Sequence, residues 1–159
     1  FGLSRQLGIS TGEAKTLMDE YFVRFGEVRD YLHRLVADAR GTGYTATMLG
    51  RRRYLPDLLS DNRQRREMAE RMALNAPIQG SAADIMKVAM LRVDEALRAG
   101  GFGSRMLLQV HDELVIEVAP GERERVEELV RREMGAAVAL EVPLEVSVGV
   151  GRTWHDAAH

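Results

Sequence analysis

Apolar positions recur along this chain with two different periods, and the changes of period mark its elements. Ser10-Thr11-Gly12-Glu13 has the form of a capping box that opens a helix. Leu17, Met18, Tyr21, Phe22 and Phe25 follow at helical spacing, Gly26 interrupts, and Val28, Tyr31, Leu32, Leu35 and Val36 resume. Two helices are predicted, over residues 11–24 and 26–39, with a bend at Gly26. Their aromatic stripe reads as packing rather than as a platform for stacking bases. Gly41-Thr42-Gly43 ends the pair. Residues 44–48 then read as a short strand and Leu49-Gly50 as a turn. Residues 51–56 are extended near their end, because the residue before a proline avoids the helical region.

The second half begins with Asn62 as the N-cap of a helix through Leu74. Another helical pattern runs through Ile85, Met86, Val88, Ala89, Leu91, Val93 and Leu97 and closes at Gly100-Gly101. Between the two, Pro77 either kinks one long helix or begins a new one. Two apolar runs of strand length follow, at 106–110 and 114–118, flanking a tip of His111, Asp112 and Glu113. They predict a rigid, buried antiparallel hairpin. Residues 122–135 form a charged amphipathic helix with Val126, Leu129, Val130 and Met134 inward. Leu144, Val146, Val148 and Val150 alternate as a closing strand, with Pro143 at its start, where it costs no central ladder bond.

Composition narrows the class. A chain of 159 residues with 45% hydrophobic content folds as one domain or two small lobes. Cysteine is absent, which excludes disulfides and thiolate zinc sites and is compatible with a reducing compartment. No run reaches the length of a membrane span. The chain starts at Phe1 without a basic or apolar leader, so it is expected to be a soluble piece of something longer. The net charge of −2 hides an asymmetry: residues 40–71 carry eight arginines and four acids. Only Lys15 and Lys87 are lysines. The planar arginine fork matches phosphate oxygens in pairs, which favours nucleic-acid contact. A general preference for arginine over lysine also accounts for the ratio, though not for the clustering.

Candidate chemistry concentrates at two places. Carboxylates lifted to the end of a hairpin suit Mg2+, which takes oxygen ligands, keeps several waters and is shared with substrate phosphates. A His-Asp-Glu tip is equally an ordinary polar turn when taken alone. Arg71, Asn75 and Gln79 are spaced by four, so an unbroken helix would line them along one face. There they can donate to acceptors common to all base pairs in a minor groove. If Pro77 breaks the helix, the two amides instead cap its free ends. Arg51, Arg52 and Arg53 suit either a phosphate backbone or a solvated surface. His33, His155 and His159 fall in no ligand-like spacing, which argues against a metal-dependent phosphohydrolase.

An ordered set of motifs narrows these alternatives. Tyr21-Phe22, Gly50-Arg51-Arg52-Arg53, Leu55-Pro56, Ala69-Glu70-Arg71, Asn75-Ala76-Pro77-Ile78-Gln79-Gly80-Ser81-Ala82-Ala83-Asp84, Gln109-Val110-His111-Asp112-Glu113 and the Trp154-His155-Asp156 tail occur in that order. Together they resemble the C-terminal portion of a bacterial DNA polymerase I, of the family A polymerases. The resemblance implies an α+β fold: a helical fingers remnant over residues 1–65, packed on part of a palm over 66–159 with a small antiparallel sheet containing the catalytic hairpin. It implies Asp112 as a metal-binding aspartate, Glu113 as its neighbouring carboxylate with Asp112 the closer ligand, and His111 near the primer terminus. Arg71, Asn75 and Gln79 match residues that touch the primer–template duplex. Arg51 to Arg53 and Arg63 to Arg66 are weaker candidates for backbone contact.

The implied activity is deoxynucleotidyl transfer to a primer 3′-hydroxyl during DNA replication and repair. Its implied partners are primer–template DNA, deoxynucleoside triphosphates and two Mg2+ ions. The setting is a bacterial cytoplasm, nucleoid-associated and without membrane, in a monomeric parent. The family also needs an aspartate on an earlier palm strand, in a motif resembling Asp-Tyr-Ser, and a fingers helix with an Arg, a Lys and an aromatic. Neither motif is in this chain, Phe1 falls just after that helix, and Asp57, Asp61 and Asp84 do not substitute. The chain alone is therefore expected to be inactive; the alternative is a non-catalytic DNA-binding module.

Overall fold

The computed structural model describes residues 2–157, so Phe1 and His159 lie outside the described residues. The chain divides into two compact units, one up to Pro77 and one from Ile78. It mixes helices with two separate two-stranded antiparallel sheets, so the fold is α+β.

The first unit is mostly helical. Helix α1 spans Gly2–Leu7, α2 spans Thr11–Arg24 and α3 spans Gly26–Thr42. The capping box forms as its residue types require: the Ser10 hydroxyl accepts from the Glu13 amide at 3.2 Å, and Glu13 accepts from the Ser10 amide at 2.9 Å. Helix α3 runs three residues beyond its predicted end and stops at Gly43, whose φ of 82° suits a residue without a Cβ. Strands β1, Tyr44–Ala46, and β2, Arg52–Tyr54, pair in register Tyr44↔Tyr54. Pro56–Leu59 forms a 3-10 turn. Ala39, Leu55, Leu58, Ala69 and Ala73 make the core, with Val36 and Met72 packed against it.

The aromatic stripe of α2 and α3 is not core. Tyr21 packs on Phe25 with ring centroids 4.8 Å apart, yet Leu17, Tyr21, Phe25 and Tyr31 are all about half exposed. The rings shield one another rather than sinking beneath a neighbouring element.

Helix α4 resolves the proline ambiguity. It runs unbroken over Arg63–Ala99 with Pro77 inside it. Asn62 caps it, accepting from the amides of Gln64 at 2.9 Å and Arg65 at 3.2 Å. An interior proline removes one backbone donor at a cost of about 3 kcal/mol. The helix persists because buried residues anchor it on both sides of that position: Ala69 and Ala73 before it, Ala89, Val93 and Leu97 after it.

In the second unit, strands β3, Arg105–Val110, and β4, Glu113–Glu117, form the hairpin. Helix α5, Arg123–Gly135, buries Val126, Leu129 and Val130 against Val93 and Leu97. Met134, Val146, Val148, Leu114 and Ile116 complete that cluster. Arg92 of α4 pairs with Glu133 of α5 at 3.1 Å. A last turn, α6, spans Trp154–Ala157.

Two expectations are corrected here. The hairpin is not buried: a register shift between Met106 and Leu108 breaks the alternation, and Leu107 and Leu108 both stand exposed. Residues 144–148 show the expected alternation of half-buried and exposed positions, but Val150 is exposed and the segment belongs to no hydrogen-bonded strand among the described residues. Val146 and Val148 pack on the cluster that α5 helps to form, without a ladder. A cross-link of another kind ties the segment down, a bond from Arg131 Nη1 to the Val146 carbonyl at 2.5 Å.

Candidate functional site

The hairpin's closing pair is Val110↔Glu113, so its turn holds two residues, His111 and Asp112. Glu113 is the first residue of β4, not part of the tip. His111 has φ +52°, the only positive φ among described non-glycine residues. Two-residue hairpins need such a conformation at their first position to match the twist of the strands. A side chain there carries strain, offset in part by the Gln109 side-chain amide, which donates to the His111 carbonyl.

The two carboxylates are held differently. Asp112 is exposed and makes no hydrogen bond or ion pair among the described residues. Glu113 accepts from the indole N–H of Trp154 at 3.3 Å. At the other end of the hairpin, Arg105 and Glu117 pair at 2.6 Å.

Sequence reasoning missed the residue that anchors the hairpin's base. Glu122 accepts from the Gly103 amide at 2.9 Å, the Ser104 amide at 3.0 Å and the Ser104 hydroxyl at 2.6 Å. Ser104 Oγ in turn accepts from the Ala119 amide at 2.9 Å. The Ser104 hydroxyl, helped by the Gly103 amide, holds the Glu122 carboxyl below the usual carboxylate range. The signal available in sequence was only a glutamate before an amphipathic helix, which is common.

An open groove of about 960 Å3 runs along the hairpin; Asp112, Glu113, Ile116, Val130, Val148 and Trp154 are among its walls. Among the described residues, no three His, Asp or Glu side chains converge as a metal cluster. The donor set fits a share of a Mg2+ site, one carboxylate completed by water and phosphate oxygens, and does not fit a self-contained pair of ions.

Helix α4 presents the second candidate set. Arg71, Asn75 and Gln79 are all exposed, at steps of four along an unbroken helix. Neither amide caps a backbone group among the described residues, so the capping alternative falls with the absent break. The arginine cluster is partly occupied by the protein itself. Arg52 stacks 4.5 Å over the Tyr44 ring, and Arg53 Nη2 reaches Met72 Sδ at 3.6 Å. Arg63 pairs with Glu67 at 2.6 Å, Arg40 pairs with Glu70, and Arg66 donates to the Ser60 carbonyl at 2.7 Å.

Comparison with known proteins decides the family, because the description "DNA polymerase family A" matches residues 1–156. The chain belongs to DNA polymerase family A. Among its relatives in that family, DNA polymerase I of Mycobacterium bovis is 69% identical over all 159 residues, and that of Streptococcus pneumoniae 50% identical over 157. The chain spans 18% of the length of each. A solved structure, the POL domain of Pol1 from M. smegmatis in complex with DNA primer-template and dNTP, matches the whole chain with a TM-score of 0.94 and 65% identity. The match covers 28% of that chain.

Proposed function

We propose that this segment serves in a longer family A polymerase, where it supplies one metal-binding carboxylate and part of the primer–template surface for template-directed DNA synthesis. Residues 1–65 belong to the fingers in this reading and 66–159 to the palm. The observation that carries it is Asp112: an acid raised on a two-residue turn, exposed, without a bond among the described residues, and beside a carboxylate that is already held.

Two Mg2+ ions, when bound across the complete site, supply the charge that activates the primer hydroxyl and offsets that on the leaving pyrophosphate. The chain's own residues do the positioning. Asp112 offers its free oxygens, Glu113 lies next to it on β4, and His111 approaches the primer terminus from the same turn. Arg71, Asn75 and Gln79 donate to the duplex from α4 and test its shape more than its sequence. Positioning and electrostatics carry the rate of such phosphoryl chemistry, so loss of a ligand should cost turnover far more than affinity.

In a full-length polymerase carrying this segment, Asp112→Ala is expected to collapse turnover with little loss of DNA affinity. Gln79→Ala is expected to weaken primer–template engagement. Steady-state extension kinetics with a parallel DNA-binding isotherm check both; intact turnover in Asp112→Ala would remove the metal assignment. The setting consistent with this reading is the bacterial cytoplasm. No helix among the described residues is long and apolar enough to cross a membrane.

A further inference from the structure

We infer that Trp154 is a positioning residue for the acidic end of the hairpin, and that the C-terminal turn exists in its present form to deliver it. The inference rests on the polymerase reading for its consequence, but its geometry stands apart from that reading.

Three observations converge. First, Trp154 Nε1 donates to Glu113 Oε2 at 3.3 Å, the one hydrogen bond of the Glu113 carboxylate among the described residues. Second, the turn that carries Trp154 is built with its own reciprocal cap. Asp156 Oδ2 accepts from the Thr153 amide at 3.1 Å and the Thr153 hydroxyl at 2.8 Å, and Thr153 Oγ1 accepts from the Asp156 amide at 3.2 Å. A four-residue helix has too few backbone bonds to persist unaided, so this cap determines where the indole points. Third, the chain folds back tightly to reach that position. A Cβ on Gly151 would lie 2.6 Å from Asp156 Cβ and 2.7 Å from the Ala157 nitrogen, so only glycine admits the close approach.

The chemistry of the clamp follows. Glu113 sits one residue from Asp112, and an unrestrained glutamate samples several rotamers, some of which bring its charge beside the aspartate. The indole N–H is a donor without acceptor capacity, so it selects the carboxylate and holds it on the tail side of the groove. Asp112 then keeps both oxygens for a cation. The same bond restrains the first residue of β4, next to the strained His111. Partners that orient a metal ligand or its neighbour in this way are commonly worth about tenfold or more in activity.

Trp154 is the single tryptophan in the sequence, which makes the test direct. In the 15N-labelled chain, Glu113→Ala should shift the lone indole N–H resonance and speed its exchange with solvent. An indole that does not move overturns the clamp. In a full-length polymerase carrying the segment, Trp154→Phe keeps the ring and removes the donor. It should lower kcat about tenfold, leave KM for primer–template unchanged and raise the Mg2+ concentration needed for half-maximal rate. Gly151→Ala, which displaces the turn without touching the indole, should reproduce that pattern. Wild-type kcat and Mg2+ dependence in both variants would overturn the positioning role. Intact turnover in Asp112→Ala, by contrast, would sink the polymerase site while leaving the indole result standing.

Discussion

Glu122 shows how one side chain can set the frame for a site it does not touch. Its three accepted hydrogen bonds close the start of β3 against the end of β4, at the opposite end of the hairpin from Asp112. Because those bonds favour the ionised form, the folded protein binds this proton less readily than the unfolded chain does. The stability it contributes is present above the ordinary glutamate value of about 4.5 and is lost as pH falls through the depressed folded value. Glu122→Gln should therefore be less stable than the wild type at neutral pH. The gap between the two should narrow as the pH drops below about 4.5, read by denaturant unfolding at a series of pH values. A constant gap would mean that the residue acts through shape and not charge. Asp112 and Glu113 illustrate the complementary point. They are neighbours in sequence and chemically alike, but the turn geometry and Trp154 give them different surroundings.

At the scale of elements, local pattern was a good guide wherever the deciding contacts lie within a few residues. The capping box at Ser10, the N-cap at Asn62 and the stop at Gly43 all follow from bonds that their own neighbours supply. It failed where the decision lies with a distant partner. The alternation over 144–148 is real, but a strand needs another strand's backbone, and none pairs with it among the described residues. Pro77 left one long helix and a fresh start both open, and burial on either side outweighs its local cost. The apolar seam of α5 is the clearest energetic commitment in the second unit. Leu129→Ala should cost about 2–5 kcal/mol, since Leu129 is buried among Val93, Leu97 and Val126. Hydrogen exchange should report it as lost protection in α5 and the latter part of α4, with the amides of α3 unaffected.

At the scale of the whole molecule, the two hydrophobic clusters are distinct, and each is assembled largely from small or medium apolar side chains. Large apolar residues remain outside them: Val23, Ile78 and Leu91 are each more than half exposed. The donor inventory is likewise partial. Among the described residues no cluster of three potential ligands forms, and one free carboxylate cannot hold two divalent ions as a separated pair can. The isolated 159-residue chain is thus expected to give no template-directed primer extension above background in the presence of Mg2+ and deoxynucleotides. Extension by the purified chain would overturn the assignment of Asp112 as one contributor to a shared site.

The sequence alone determined α2, α3 and α5, the caps at Ser10 and Asn62, the hairpin with its acid-bearing turn and, through the ordered motifs, the family. Each of these depends on residues close together along the chain, where backbone geometry leaves few choices. Only the tertiary structure decided that Glu113 belongs to β4 and is held by an indole 41 positions away, that Glu122 closes the hairpin 18 positions from Ser104, and that α4 passes through Pro77 unbroken. Contacts of that kind leave no periodic trace, because the chain must fold before the partners meet.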